Sequence, residues 1–281
     1  MIQDIYPHKL HNEYNPSARV QENSPILNIS NGKVLVHTEQ FDNGIVVFPL
    51  KKELPEELEY TYLFKVDDRE YFLWNEELSE DSIPKGYSYV EERSMRKENK
   101  GPCEEVFAVT TAKHLSDWYR DTCFCGRCGT KMVPHDKERA MSCPSCGYIA
   151  YPRIMPAVIV GVKNGDKILL TKYRTGFAHN ALIAGFTEIG ETAEETVMRE
   201  VMEETGIKVK NIHYYKSQPW GTANDLLLGF YCEVDGDDTI TMDRHELKYA
   251  EWVQREEIVL QPGNFSLTNE MMRRFKEGYE V

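Results

Sequence analysis

Long apolar runs are missing from this 281-residue chain. Its longest, Met155–Val162 and Leu226–Tyr231, fall far short of the roughly 20 residues a membrane helix needs, so no bilayer span is expected. Positive charge is also short: 33 Lys+Arg stand against 46 Asp+Glu, a formal net charge of −13. Duplex nucleic acid and anionic membranes both need a positive surface field, which argues against a general affinity for either. The amino-terminal MIQDIYPHKLHNEY has no apolar core behind a basic start, so no secretory signal is read there and a cytoplasmic protein is expected. An even, disulfide-ready set of cysteines is lacking too, since there are seven, and reduced thiols are the better assumption. What is present is ordinary globular material, 41% hydrophobic and 28% charged, in a length that suggests two domains or two with a small module.

Four of the cysteines form two C-x2-C pairs, Cys125 with Cys128 and Cys143 with Cys146, each followed directly by a glycine, Gly129 or Gly147. Two thiolates so spaced can face one metal across a tight turn, and the glycine lets the backbone turn without a Cβ clash. Four sulfurs close a tetrahedral shell and leave no position for a reacting water, so a structural Zn2+ is expected. Cys123, two residues ahead of Cys125, offers a second possible ligand through a less usual C-x-C knuckle; Cys125 is the expected one. Cys103 and Cys232 read as small hydrophobes or surface thiols.

Ahead of this ribbon, short β-type runs alternate with turn signals: Ile26–Ile29 before Asn31-Gly32, Lys33–His37, Gly44–Leu50, Tyr60–Val66 before Asp67-Asp68, and Glu70–Trp74. A helix is expected from about Pro102 to Tyr119, and the charge-rich Glu91–Gly101 reads as a solvated loop. The expected organisation is a β-rich domain over 1–122, a zinc ribbon over 123–150 and a third domain over 151–281. In that third domain, apolar strands are read at Ile154–Val162 and Lys167–Lys172 around an Asn164-Gly165 turn, then at Ala181–Phe186. A helix from Thr192 to about Thr205 carries a capping box with Glu195 and stops at Gly206. Strands near Lys208–Ser217, Asp225–Val234 and Ala250–Val253 and a last helix over Thr268–Glu277 complete a mixed sheet with helices, the α+β class or the α/β class.

The first of these helices carries Glu200, Glu203 and Glu204 at i, i+3 and i+4, three carboxylates on one face. Like charges there repel, and the interleaved Val201 and Met202 do nothing to offset them. A carboxylate cluster is a hard-oxygen site for Mg2+ or Mn2+, ions that bridge to substrate phosphates.

From Gly185 to Ile207 the chain is identified as a member of the Nudix family, whose box G-x5-E-x7-R-E-U-x-E-E-x-G-U, with U aliphatic, it matches at every fixed position. The resemblance implies an α/β/α sandwich whose loop-helix-loop holds divalent metals and hydrolyses a nucleoside diphosphate linked to another group. It makes Glu200, Glu203 and Glu204 metal ligands, one of them or a nearby carboxylate helping to deprotonate the attacking water. Arg199 and Glu191 become the pair that orients those ligands.

A zinc ribbon before such a domain, behind a β-rich domain, resembles the NADH pyrophosphatase subfamily. Ser217-Gln218-Pro219-Trp220 looks like the first half of its S-Q-P-W-P-F-P-x-S signature, whereas Gly221-Thr222-Ala223-Asn224-Asp225 departs from the second half. The resemblance implies a homodimer that splits NADH or NAD+ at the pyrophosphate to AMP and nicotinamide mononucleotide, and that removes NAD caps from RNA. Phe186 would stack on adenine, Tyr151 would close over the same base from the partner subunit, and Glu246 would add a metal-binding carboxylate. Gln218 and Trp220 would shape the nicotinamide side. Lys131, Lys137, Arg139 and Arg153 are the candidate guides for RNA. Two other readings stand beside this one: a Nudix enzyme for ADP-ribose or another diphosphate, motivated by Gly221–Asp225, and a non-catalytic nucleotide sensor.

Overall fold

A computed structural model describes residues 1–97, 101–175 and 179–279. The chain divides into two compact units, one of Gln3–Arg153 with Gly221–Asn224, the other of Met1–Ile2, Ile154–Trp220 and Asp225–Val281.

The first unit begins with β1 (Leu10–His11), β2 (Ile26–Ser30), β3 (Lys33–His37) and the short helix α1 (Thr38–Asp42). It continues with β4 (Thr61–Val66), β5 (Arg69–Trp74), β6 (Tyr87–Glu91), α2 (Glu92–Lys97) and α3 (Cys103–Asp121). The strands form one sheet in the order β1-β4-β5-β2-β3-β6, with β2 parallel to β5. The β2–β3 hairpin closes through Asn31 and Gly32, both at positive φ (51° and 75°), the two-residue turn whose twist matches its strands. Ile26, Leu35, Tyr62 and Phe72 fill the core beneath. The apolar stripe foreseen on α3 is buried at Val106, Val109, Ala112 and Leu115.

Two segments differ from the sequence expectation. Gly44–Leu50 is not a strand: Val46 and Phe48 are buried, but Pro49 has no N–H to give a ladder, and only Leu50 makes a bridge, to Pro25. Glu91–Gly101 is not simply a solvated loop, because Glu92–Lys97 is helical with Glu92 and Met95 buried; residues 98–100 of that stretch lie outside the described residues. The Glu92 carboxylate accepts from Arg96 Nε at 2.9 Å and from Thr110 Oγ1 at 3.2 Å, so its charge is paired inside the unit.

The same unit contains β7 (Val133–Pro134), β8 (Met141–Ser142) and β9 (Ile149–Ala150), a small antiparallel sheet over Trp118, Cys125, Met132, Met141 and Cys143.

The second unit holds β10 (Met155–Asn164), β11 (Lys167–Tyr173), β12 (Ile183–Phe186), α4 (Ala193–Thr205), β13 (Val209–Trp220), β14 (Asp225–Val234), β15 (Leu247–Gln254) and α5 (Leu267–Lys276). Its sheet runs β13-β14-β10-β11-β15, with β12 also paired to β10 and β10 parallel to β14. Alternation sorts the strand residues between two cores. Val158, Val160, Ile183 and Phe230 pack with Val197 and Val201 of α4. Ala157, Ile159, Leu227 and Tyr231 pack with Leu267, Met271 and Phe275 of α5. A sheet with one helix on each face is the expected α/β/α sandwich. No helix among the described residues is long and apolar enough to cross a membrane.

Candidate active site

Helix α4 starts where the sequence places it. Thr192 accepts from Glu195 N at 3.2 Å while Glu195 Oε2 accepts from Thr192 N at 2.8 Å, and Gly206 ends the helix at φ 71°, a conformation that favours glycine. These caps fix the helical phase that carries Glu200, Glu203 and Glu204.

Arg199 ties the site together. Its guanidinium forks onto Glu191 (Nε to Oε1 2.6 Å, Nη2 to Oε2 2.9 Å), donates to Glu200 Oε1 at 2.7 Å and Glu203 Oε2 at 3.0 Å, and reaches the Phe186 carbonyl at 2.9 Å. Glu191 also accepts from Glu188 N and Thr196 Oγ1, each at 3.0 Å. The Arg199 hydrogen bonds, more than any other contact, hold the Glu191 carboxyl down at about 2, so it is ionised at any physiological pH. The arginine therefore spans the loop after β12, the helix and two of its carboxylates.

Glu204 has the opposite environment. It is 2% exposed, its Oε2 has no hydrogen-bond partner, and burial, then the charges of Glu246 and Glu200, push its carboxyl up to about 8. Burial also raises Glu200, against the pull of Arg199. Glu203 and Glu246 are exposed. A hard divalent cation suits this set, because it would give the orphaned oxygen a partner and reverse the repulsion among the carboxylates. Tyr173, at the end of β11, donates to Glu204 Oε1 at 3.4 Å; no motif marks it, and only the fold brings it to the helix.

Gly185 shows how tightly the loop fits. A Cβ there would lie 1.9 Å from the Glu200 carboxyl carbon, so only glycine lets that side chain lie across β12. Gly185→Ala should leave the fold intact, since the obstructing atoms end a flexible side chain, yet move Glu200 and weaken Mn2+ binding on the order of 10–100-fold. Electron paramagnetic resonance of bound Mn2+ reads the change; unaltered affinity would show that Glu200 is not held as a ligand.

The other sequence candidates fall in different settings. Phe186 ends β12 and is 51% exposed. Tyr151 is 52% exposed and donates to Glu138 Oε2 at 2.8 Å. Trp220 ends β13 beside the α5 core. Gln218 is fully buried: its Nε2 donates to the Phe265 carbonyl at 2.6 Å and its Oε1 accepts from Leu267 N at 2.7 Å, so it fastens the start of α5. The departure at Gly221 has a packing cause, since any Cβ there would lie 2.2 Å from the Thr110 carbonyl oxygen of α3, leaving no room for a proline.

In the ribbon, Cys125 and Cys146 sulfurs lie 3.7 Å apart and those of Cys128 and Cys143 3.5 Å apart. All four fall within 4.8 Å of one another, the sole such set of potential ligand atoms among the described residues. The two knuckles are copies. Cys125 N and Cys143 N each donate at 2.8 Å to the carbonyl five residues on, and Gly129 and Gly147 sit at φ 73° and 72°. The hydroxyl and backbone N–H of Thr130 pull the Cys128 thiol down to about 6, favouring the thiolate that zinc requires. Cys123 lies outside the set and donates to the Tyr119 carbonyl.

Comparison with known proteins agrees with this geometry. Residues 153–275 match the NUDIX domain and residues 120–151 the NADH pyrophosphatase zinc ribbon domain. NAD-capped RNA hydrolase NudC of Escherichia coli and that of Escherichia fergusonii are each 44% identical over 151 residues, 53% of this chain and 58% of theirs. The match thus spans less than two thirds of those relatives. A NUDIX hydrolase crystal structure from Nitrosomonas europaea aligns with 56% of this chain and 94% of its own at a TM-score of 0.49 and 22% identity. With the box intact on α4 and the four-cysteine ribbon ahead of it, the chain carries a Nudix domain over 153–275 and, over 120–151, a zinc ribbon of the NADH pyrophosphatase kind.

Proposed function

We propose that this protein hydrolyses the pyrophosphate bond of NADH or NAD+, water entering at phosphorus to give AMP and the reduced or oxidised nicotinamide mononucleotide. The observation that carries the reading is the Glu200–Glu203–Glu204 face, oriented by Arg199 and ending in a buried carboxyl oxygen without a partner. Mg2+ or Mn2+ held there with Glu246 would neutralise charge building on the phosphoryl oxygens and lower the pKa of an attacking water. Arg199 keeps Glu200 and Glu203 in position, Glu204 would hold the cation as a carboxylate, and Phe186 offers an exposed aromatic side chain to a base, a contact worth about 1–3 kcal/mol.

The NAD-capped RNA hydrolases among the relatives support cap removal as a further activity of the same site. The exposed aromatic and aliphatic residues Phe124, Val133, Tyr148, Ile149 and Tyr151 suit a homodimer, and unpaired zinc-binding thiolates suit the cytoplasm. ADP-ribose is the second reading, since Gly221–Asp225 departs from the second half of the signature. Chromatography of products from NADH, NAD+ and ADP-ribose, each with Mg2+ or Mn2+, separates them. Nicotinamide mononucleotide from the dinucleotides at a higher kcat/KM than ADP-ribose turnover is expected; cleavage of ADP-ribose alone would overturn the assignment.

A further inference from the structure

Four strand termini meet at one end of the sheet in the second unit. Met155 opens β10, Asp225 opens the parallel β14, Trp220 closes β13 opposite Asp225, and Phe186 closes β12 opposite Ala157. Alternation gives them a common face. Asp225 is two residues before Leu227, and Phe186 two residues after Ala184; Leu227, Ala184 and Trp220 all pack in the α5 core. Two strand spacings and two residue rises put Asp225 about 12 Å from Phe186, within the span of an extended dinucleotide.

Asp225 does not fit there as a structural residue. It is 6% exposed, its Oδ1 has no hydrogen-bond partner among the described residues, and burial pushes its carboxyl up to about 6. A buried acceptor left unmatched destabilises the fold unless something supplies a donor.

We propose that Asp225 is a specificity-determining residue of the substrate site, its Oδ1 accepting a hydrogen bond from the carboxamide N–H of the nicotinamide while the adenine stacks on Phe186. This rests on the dinucleotide reading above. A carboxylate so placed selects an amide and rejects an acid, because the nicotinic acid form of the dinucleotide offers no N–H there and sets a like charge against Asp225.

The test compares kcat/KM for NAD+ and for its nicotinic acid analogue. The wild-type protein should prefer NAD+ on the order of 100-fold or more. Asp225→Ser should cut that preference at least about tenfold, and the isosteric Asp225→Asn, whose amide can donate to a carboxylate, should shift it further toward the analogue. Zinc content and melting temperature report whether each variant is folded. A preference unchanged within about twofold in folded variants would overturn the role of Asp225 alone. A wild-type protein that cleaves ADP-ribose but neither dinucleotide would overturn the dinucleotide reading and this assignment with it.

Discussion

Glu204→Gln is expected to abolish turnover and, in the metal-free protein, to raise the melting temperature. The loss follows if Glu204 is a metal ligand as proposed, since a bound cation would supply several kcal/mol of transition-state stabilisation, and its removal means a fall on the order of 1000-fold or more in kcat. The gain follows from the environment of the same side chain. Folding raises the Glu204 carboxyl from 4.5 to about 8, so the folded state binds its proton more tightly than the unfolded one. Stability of the metal-free protein must then fall as pH rises between those values, by roughly 3–5 kcal/mol in all, and below about pH 4.5 the penalty vanishes. Glutamine, uncharged at every pH, escapes it. Calorimetry in EDTA should show the variant melting several degrees above wild type at pH 8 and close to it at pH 5. A variant that melts lower at pH 8, or that retains wild-type turnover, would contradict the placement of Glu204 as a metal ligand held under strain.

Cys143→Ser should cost the chain its zinc and the order of the ribbon together. The ribbon has strands of only two residues each and a small buried cluster around Trp118 and Met141, too little apolar surface to fold unaided. Structural zinc sites contribute about 10–16 kcal/mol of apparent binding energy, and folding of the segment depends on it. Elemental analysis should find the metal lost. Amide exchange over 123–150 should rise to nearly unprotected rates, with α4 and its sheet unchanged. Persistent protection of the ribbon without zinc would mean that the cysteines are not its staple.

Chemistry written into local spacing was legible in the sequence. The box fixed the start, the cap and the face of α4 because the capping box and Gly206 act within one helix, and the paired C-x2-C-G repeats dictated two copies of one turn. Residues whose role depends on remote packing were not legible. Gly44–Leu50 has the apolar content of a strand, but Pro49 and its burial as coil decide otherwise. Gln218 carries a signature suited to a ligand contact and instead spends both ends of its amide on the backbone at the start of α5. Tyr173 and Asp225 acquire meaning only when β11, β13 and β14 bring them beside Glu204 and Trp220. Gly221 departs from the signature because α3 comes too close for a side chain, a constraint imposed by residues more than a hundred positions away.

Whether the carboxylate face of α4 directs water to a diphosphate is read from the bond that breaks. Purified protein with Mn2+ should convert NAD+ to AMP and nicotinamide mononucleotide, with one solvent oxygen in the products, and Glu203→Gln or EDTA should stop it. Release of nicotinamide and ADP-ribose, or equal turnover in the variant, would mean that this face does not direct water to the diphosphate.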